Sequence, residues 1–130
     1  SMPSRLDERS AYALGQALAP LRDEGVLVVG SGSLTHNLYE FRGAHGADAP
    51  YARAFSDWVR DTLQRQDHTS LLQTMALAPH AERAHPTPDH LLPLMVAAGA
   101  AGADVPVQWL DGGITHGVLS MDSFLFDPIQ

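Results

Sequence analysis

Residues 25–36 read Gly-Val-Leu-Val-Val-Gly-Ser-Gly-Ser-Leu-Thr-His, and this stretch decides the fold that we expect. Three valines and a leucine lie between Gly25 and Gly30. A short, continuous apolar run of this kind is typical of a strand that is buried on both faces of a sheet. The small-residue loop that follows, up to Asn37, then lies at the carboxyl end of the strand, where open α/β sheets form their ligand crevices. We therefore predict an α/β fold with Val26–Val29 as a central strand.

Further helices and strands are predicted on both sides of this strand. Apolar residues recur at helical spacing in several segments, and Thr87-Pro88-Asp89 supplies an N-cap, a proline at the first helical position and an acid in the first turn. The predicted helices cover Leu6–Leu21 (ended by Pro20), Tyr51–Leu63, parts of Ser70–Ala84 with a break near Pro79, and Thr87 to Gly99 or Gly102; the later strands cover Val105–Leu110 and Val118–Phe126.

Length and composition limit the possible classes of protein. A chain of 130 residues predicts one domain, residues 3–130, with Ser1-Met2 interpreted as a scar of tag removal. The net charge of −7, with scattered arginines, argues against nucleic acid, and the longest apolar run, Leu91–Ala103, is too short to span a membrane. The absence of cysteine excludes disulfides, thiolate ligands and a cysteine nucleophile. A cytoplasmic location is the default expectation.

Histidine is the residue type that draws attention, with seven copies in the chain. His80, His85 and His90 are spaced by five residues, so they cannot share one face of a helix. His36 is better placed, because it follows a predicted buried strand in a glycine-containing loop. The same loop lacks the patterns of a phosphate-binding loop and of a serine nucleophile elbow. A turn histidine bonded to a neighbouring carbonyl stays an alternative for His36.

Two segments together resemble a known family. Residues 25–38, which include the opening stretch, resemble the strand and loop of DODA-type (class III, LigB-like) extradiol dioxygenases, and Ala-His-Pro-Thr-Pro-Asp-His-Leu-Leu-Pro-Leu at residues 84–94 resembles that family's (H/N)PTP(E/D)H-L-P-L element. The helix with Phe55 and Trp58 and the segment Ser120–Phe124 are also similar to family elements. The resemblance covers nearly all the chain from Gly25 onward. It implies the C-terminal part of a three-layer αβα fold with a mixed sheet, incomplete relative to the full family domain.

The resemblance also implies a chemistry. Such enzymes insert O2 into a catechol ring of a DOPA-like or protocatechuate-like substrate at a mononuclear non-haem metal, expected to be Fe(II), with zinc or manganese as alternatives. The family's proton-transfer histidine corresponds to His36, and its third metal ligand corresponds to His90. Asp89 stays open as a carboxylate ligand in place of His90, and His85 is expected to lie outside the metal's ligand set.

The chain departs from the family in its length. Family enzymes are longer, and their other two metal-binding histidines come from an N-terminal half that has no counterpart before His36. We therefore expect a truncated form, a proteolytic product or a natural half-enzyme, favour truncation, and expect the isolated chain to be inactive and to hold no metal. Exposed sheet surface predicts a homo-oligomer or strand swapping between copies. The alternative function is a non-catalytic binding or assembly module of the same fold.

Overall fold

The computed structural model describes residues 5–41 and 47–127, so Ser1-Met2 and His45 lie outside the described residues. Helices dominate this part of the chain, and its strands are short. The α-helices are α1 (Glu8–Leu18), α2 (Pro50–Gln64), α3 (His68–Leu71), α4 (Thr74–Leu77), α5 (Ala81–Ala84) and α6 (Leu92–Ala101); 3₁₀ turns lie at Ala19–Glu24, Leu38–Glu40 and Pro88–His90; and the strands are β1 (Val107–Leu110), β2 (Ile114–Thr115), β3 (Leu119–Ser120) and β4 (Ser123–Phe126).

Helices α1 and α6 pack against each other through glycine. A Cβ atom at Gly15 would lie 2.1 Å from the Val96 carbonyl oxygen, and one at Gly99 would lie equally close to the Tyr12 carbonyl oxygen. Asp7 starts α1 by accepting a hydrogen bond from the Ser10 amide (2.8 Å). The predicted first helix is thus confirmed. The α-helix ends at Leu18, and a 3₁₀ turn that contains Pro20 follows it.

The core lies beneath α2. Phe55, Val59 and Leu63 recur at helical spacing and are completely buried, as the amphipathic pattern predicts. They belong to one apolar cluster with Met95 of α6 and with Val118. In the described part of the chain, none of the helices combines the length and the apolar character that crossing a bilayer requires.

The strands form antiparallel pairs, β1 with β4 and β2 with β3. The single strand predicted over Val118–Phe126 is instead divided, because the Met121 amide bonds to the Gly113 carbonyl (2.8 Å) and the Asp122 carboxylate accepts from the Gly112 amide (2.9 Å). The α/β class is confirmed.

The predicted central strand, Val26–Val29, is wrong for the described residues. No strand pairs with this segment there, and Leu27 is 78% exposed and Val29 71% exposed. The apolar run has strand-forming residues, but a strand also needs neighbours to accept and donate its backbone hydrogen bonds. The segment that follows packs closely on α6, since a Cβ at Gly30 would lie 2.2 Å from the Pro93 carbonyl oxygen.

Candidate functional site

The loop that carries His36 is fixed to the segment that carries His90. The His36 amide donates to the Ala84 carbonyl (2.8 Å), and the Ser33 amide donates to the His90 carbonyl (2.9 Å). Between these two bonds, the His85 ring meets the Leu34 carbonyl oxygen through Nε2 (2.7 Å). The backbones of the two predicted motifs are therefore held side by side.

The fixed backbones bring two imidazole rings together. The rings of His36 and His90 stack with centroids 3.5 Å apart and an angle of 11° between their planes. Both residues are partly exposed, and the His90 side chain keeps 42% of its surface accessible. The two site residues that the sequence predicts thus lie in direct contact at the surface of the described part of the chain.

His85 lies beneath this pair, in the core. Its Nε2 must donate to Leu34, because a carbonyl oxygen only accepts, so Nδ1 is left as a buried acceptor without a hydrogen-bond partner. Burial, which disfavours the charged ring, lowers the pKa of His85 to about 4. Phe55 contacts the ring edge at 5.4 Å between centroids. A neutral, enclosed imidazole of this kind supports the loop from below.

Asp89 is the carboxylate next to His90. The Thr87 hydroxyl donates to Asp89 Oδ1 (2.5 Å) and, as the main cause, holds the pKa of this carboxyl below its usual value. Thr87 therefore binds a side chain, and the predicted cap bond to the helix backbone is not made. Asp89 Oδ2 lies 3.2 Å from His90 Nδ1, which is ion-pair distance, but the atoms are not aligned for a hydrogen bond, and this buried Nδ1 has no hydrogen-bond partner.

Two polar residues beside His36 were missed by the sequence reasoning. Thr35 is completely buried, and its hydroxyl donates to the Val118 carbonyl (2.6 Å) and accepts from the Ser120 amide (2.7 Å). Asn37 donates through its side chain to the Arg83 carbonyl (2.7 Å). The signal for both was their position on either side of a loop histidine, where short polar side chains bond to nearby backbone.

The other histidines of the described residues have separate surroundings. His68 is bonded to the Tyr12 hydroxyl (2.6 Å), His80 lies edge-on to Tyr51, and His116 stacks on Phe41. Within residues 5–41 and 47–127, no group of three or more His, Asp or Glu side chains is placed to hold a metal ion.

Comparisons with known proteins agree on one family. Residues 2–122 match the family model described as the catalytic LigB subunit of aromatic ring-opening dioxygenase. The chain is 40% identical over 126 residues to a 4,5-DOPA dioxygenase extradiol of Beta vulgaris, covering 97% of this chain and 47% of that protein. It is 35% identical over 114 residues to a protein of the same description from Escherichia coli K12, covering 85% and 42%.

A solved structure gives the same result for the fold. The crystal structure of the uncharacterized protein JW3007 from Escherichia coli K12 superposes with a TM-score of 0.85 at 32% identity, covering 95% of this chain and 52% of that one. The chain thus spans about half the length of the relatives that it matches. With the match over residues 2–122 and the similarity to these relatives, the chain belongs to the LigB family of aromatic ring-opening dioxygenases.

Proposed function

We propose that this chain is part of a non-haem-metal-dependent extradiol dioxygenase that inserts O2 into the ring of a DOPA-like or protocatechuate-like catechol. The observation that supports the proposal is the stack of His36 on His90, which brings the proposed proton-transfer residue into contact with the proposed metal ligand. The similarity to proteins described as 4,5-DOPA dioxygenase extradiol supports it. Both atoms of O2 end in the ring-opened product, so the reaction needs no further reductant.

His36 is the proposed proton-transfer residue. A catechol must lose a hydroxyl proton as it binds, and a proton must be returned when the ring opens. Imidazole suits both steps because its ordinary pKa lies near neutrality. The His36 backbone is fixed through its amide, so the ring can exchange protons without the loop having to move.

His90 is the proposed metal ligand. Its buried Nδ1 has no hydrogen-bond partner, so the ring is not committed to a structural bond, whereas the carboxylate of Asp89 is already bonded to Thr87. Fe(II) is the proposed metal, with zinc or manganese as alternatives, and it would supply open positions for the catechol oxygens and for O2. The remaining ligands are proposed to come from outside the described residues.

The isolated chain is proposed to be inactive for that reason. A test compares it with a completed protein, in which the part of the Escherichia coli 4,5-DOPA dioxygenase extradiol that lies outside the match is joined to the N-terminus of this chain. Fe(II) is titrated anaerobically, and oxygen uptake is then followed with DOPA and protocatechuate. We expect the completed protein to consume O2 and the isolated chain to consume none.

Variants assign the roles within the completed protein. His90→Ala should weaken Fe(II) binding, whereas His36→Gln should leave Fe(II) binding intact and reduce turnover by about 10²- to 10⁴-fold. His80→Asn, a histidine away from the pair, is the matched control. Wild-type turnover in His36→Gln would contradict the proposal.

The alternative is a non-catalytic binding or assembly module of the same fold. It is favoured only by the incomplete ligand set of the described residues. Catechol binding by the completed protein without any oxygen uptake would support this alternative and exclude the enzyme.

Two further expectations belong to this proposal. Exposed apolar residues at Val26, Leu27 and Val29 support self-association when nothing else covers them, and sedimentation velocity over a concentration series would test it. A stable monomer at high concentration would contradict it. A cytoplasmic location is proposed from the absence of cysteine in the sequence.

A further inference from the structure

An ion pair lies directly beyond the loop that carries His36. Glu40 is the last residue of the 3₁₀ turn that follows this loop, and Arg83 lies in α5. Arg83 donates to both carboxylate oxygens of Glu40, from Nε to Oε2 (2.9 Å) and from Nη2 to Oε1 (2.6 Å). A paired bond of this kind fixes direction as well as distance, because both groups are planar. The turn after His36 is therefore joined to α5 through side chains.

Each member of the ion pair is also held by a further side chain. The Asn37 amide group donates to Glu40 Oε2 (3.0 Å) and to the Arg83 carbonyl (2.7 Å). The guanidinium of Arg83 lies over the ring of Tyr51, 4.2 Å from the ring centroid, and Tyr51 is a buried residue of α2. A cation on an aromatic face is attracted by the negative charge of that face. The pair is thus the centre of a network that joins the turn, α5 and α2.

This geometry differs from that of an ordinary surface ion pair. Exposed pairs contribute little, because two long side chains must lose their mobility in order to meet. Here the side chain of Glu40 keeps only 28% of its surface accessible, and Asn37 and Tyr51 already restrict the two partners. The Asp57–Arg60 pair of α2, by contrast, joins residues three apart within one helix. It provides a matched ion pair for comparison.

His36 lies within the part of the chain that this network holds. Its amide bonds to the Ala84 carbonyl, and the next residue, Asn37, bonds to both members of the ion pair. The backbone dihedrals of a residue limit the rotamers that its side chain can adopt. Movement of the turn would therefore reach the His36 ring through Asn37. In the structure that ring stays stacked on His90, with 3.5 Å between centroids.

We propose that Glu40 and Arg83 position His36 for proton transfer. Their ion pair holds the turn after His36, so that the His36 ring stays against His90. Both act through the loop, so they are positioning residues and not catalytic ones. Proton transfer by His36 belongs to the proposed function, and this inference rests on that function. The stack itself can be observed without any turnover.

NMR spectroscopy of the isolated chain observes the stack directly. Each imidazole shields protons above its face, so the carbon-bound ring protons of the stacked His36 and His90 should be shifted upfield relative to the unfolded chain. Glu40→Gln keeps the shape of the side chain and removes its charge, and Arg83→Met removes the guanidinium. We expect most of the upfield shift to be lost in both variants. The double variant should equal each single one, because all three break the same ion pair. Asp57→Asn, the matched control, should keep the shift.

Turnover of the completed protein tests the consequence for the reaction. Glu40→Gln and Arg83→Met should reduce kcat for oxygen uptake by about 10- to 100-fold, since a small misplacement of a catalytic group is costly. KM for the catechol and the affinity for Fe(II) should change by less than about twofold, because the lost positioning acts on the chemical step. Arg83→Lys keeps the charge without the planar fork and should lie between. Asp57→Asn should keep the kcat of the wild type.

Upfield shifts that persist in both Glu40→Gln and Arg83→Met would overturn the proposal. Lower thermal stability of these variants with an intact stack would also overturn it, because the pair would then have a structural role only. A fall in kcat that is matched by higher KM and weaker Fe(II) binding would count against it in the same way. If the wild-type completed protein takes up no O2, the dioxygenase proposal fails, while the NMR shifts still decide whether the ion pair holds the stack.

Discussion

Residues 26–29 and residues 33–37 are neighbours in the sequence but differ in their burial and hydrogen bonding. The first segment is mostly exposed and pairs with no strand in the described part of the chain, whereas the second contains the buried side chains of Leu34, Thr35 and Asn37. The difference lies in where each segment finds its hydrogen bonds. The second segment is bonded to residues 83–90 and 118–120 of the same chain. Within residues 5–41 and 47–127, the first segment has a single backbone bond, from the Val26 amide to the nearby Leu21 carbonyl. The loop of His36 is therefore held in place by hydrogen bonds within this chain, whereas the segment before it is not.

The largest expected effect on stability comes from replacing His85, whose ring bonds to the Leu34 carbonyl and so helps to hold residues 33–37 in place. His85→Ala removes the donor to the Leu34 carbonyl and leaves a cavity beside Phe55, and we expect the free energy of unfolding to fall by about 3 kcal/mol. His85→Gln is the matched control, since its amide nitrogen reaches about as far as Nε2. Urea denaturation measures both variants. A loss below about 1 kcal/mol in His85→Ala would show that the loop is held by its other bonds.

The pH dependence of stability gives a second test of the contribution of His85. The pKa of His85 falls from its ordinary 6.5 to about 4 in the folded chain, because burial disfavours the charged ring. The unfolded chain therefore binds more protons between these values, so stability is fully present above pH 6.5 and is lost as pH falls toward 4. The loss reaches about 3 kcal/mol.

Burial lowers the pKa of His68 as well, so its contribution to stability has the same sign. Thermal unfolding of the wild type and of His85→Gln from pH 7 to pH 4 separates the two histidines. The variant should retain only the shallower dependence. Parallel curves would contradict the role given to His85.

Sequence patterns predicted those features of the fold that depend on residues close together in the chain. The apolar positions of α2 and the glycine that ends α6, Gly102, were predicted, because helical spacing and capping act over one or two turns. The predicted start of that helix was wrong, since Pro88 opens a separate 3₁₀ turn and α6 begins at Leu92. The single strand predicted from the alternation over Val118–Phe126 was wrong, because hydrogen bonds of loop residues Met121 and Asp122 divide it.

The candidate site shows the same limit. The family resemblance pointed to His36 and His90, but their stacking depends on bonds between distant segments that no local pattern contains. Thr35 and Asn37 were missed because a short polar residue in a loop has the same signature whether it caps a turn or joins two segments. The apolar run at Val26–Val29 predicted a strand because valine and leucine favour sheets, but the prediction is wrong for the described residues, in which no strand pairs with this segment.

An intermediate effect is expected at Thr35. Thr35→Val keeps the shape of the side chain and removes the hydroxyl, so the Val118 carbonyl and the Ser120 amide lose a buried partner. We expect a loss of about 2 kcal/mol in the free energy of unfolding. Thr35→Ser retains the hydroxyl and is the control. Equal stability of the two variants would mean that water replaces the hydroxyl.

The smallest expected effect on stability is at Leu27, in the mostly exposed segment of residues 26–29. Leu27→Ser in the isolated chain, at a concentration low enough to keep it monomeric, should change the free energy of unfolding by less than about 0.5 kcal/mol, because the side chain is exposed and buries little apolar surface. In the completed protein, the same substitution should cost about 2 kcal/mol, since burying a leucine side chain contributes about that much. Urea denaturation of both proteins, with Leu77→Ser as the control for an exposed leucine elsewhere, measures the difference. An equal effect of Leu27→Ser in both proteins would mean that residues 26–29 stay exposed in the completed protein. The difference in burial between residues 26–29 and residues 33–37 would then be a property of the complete fold.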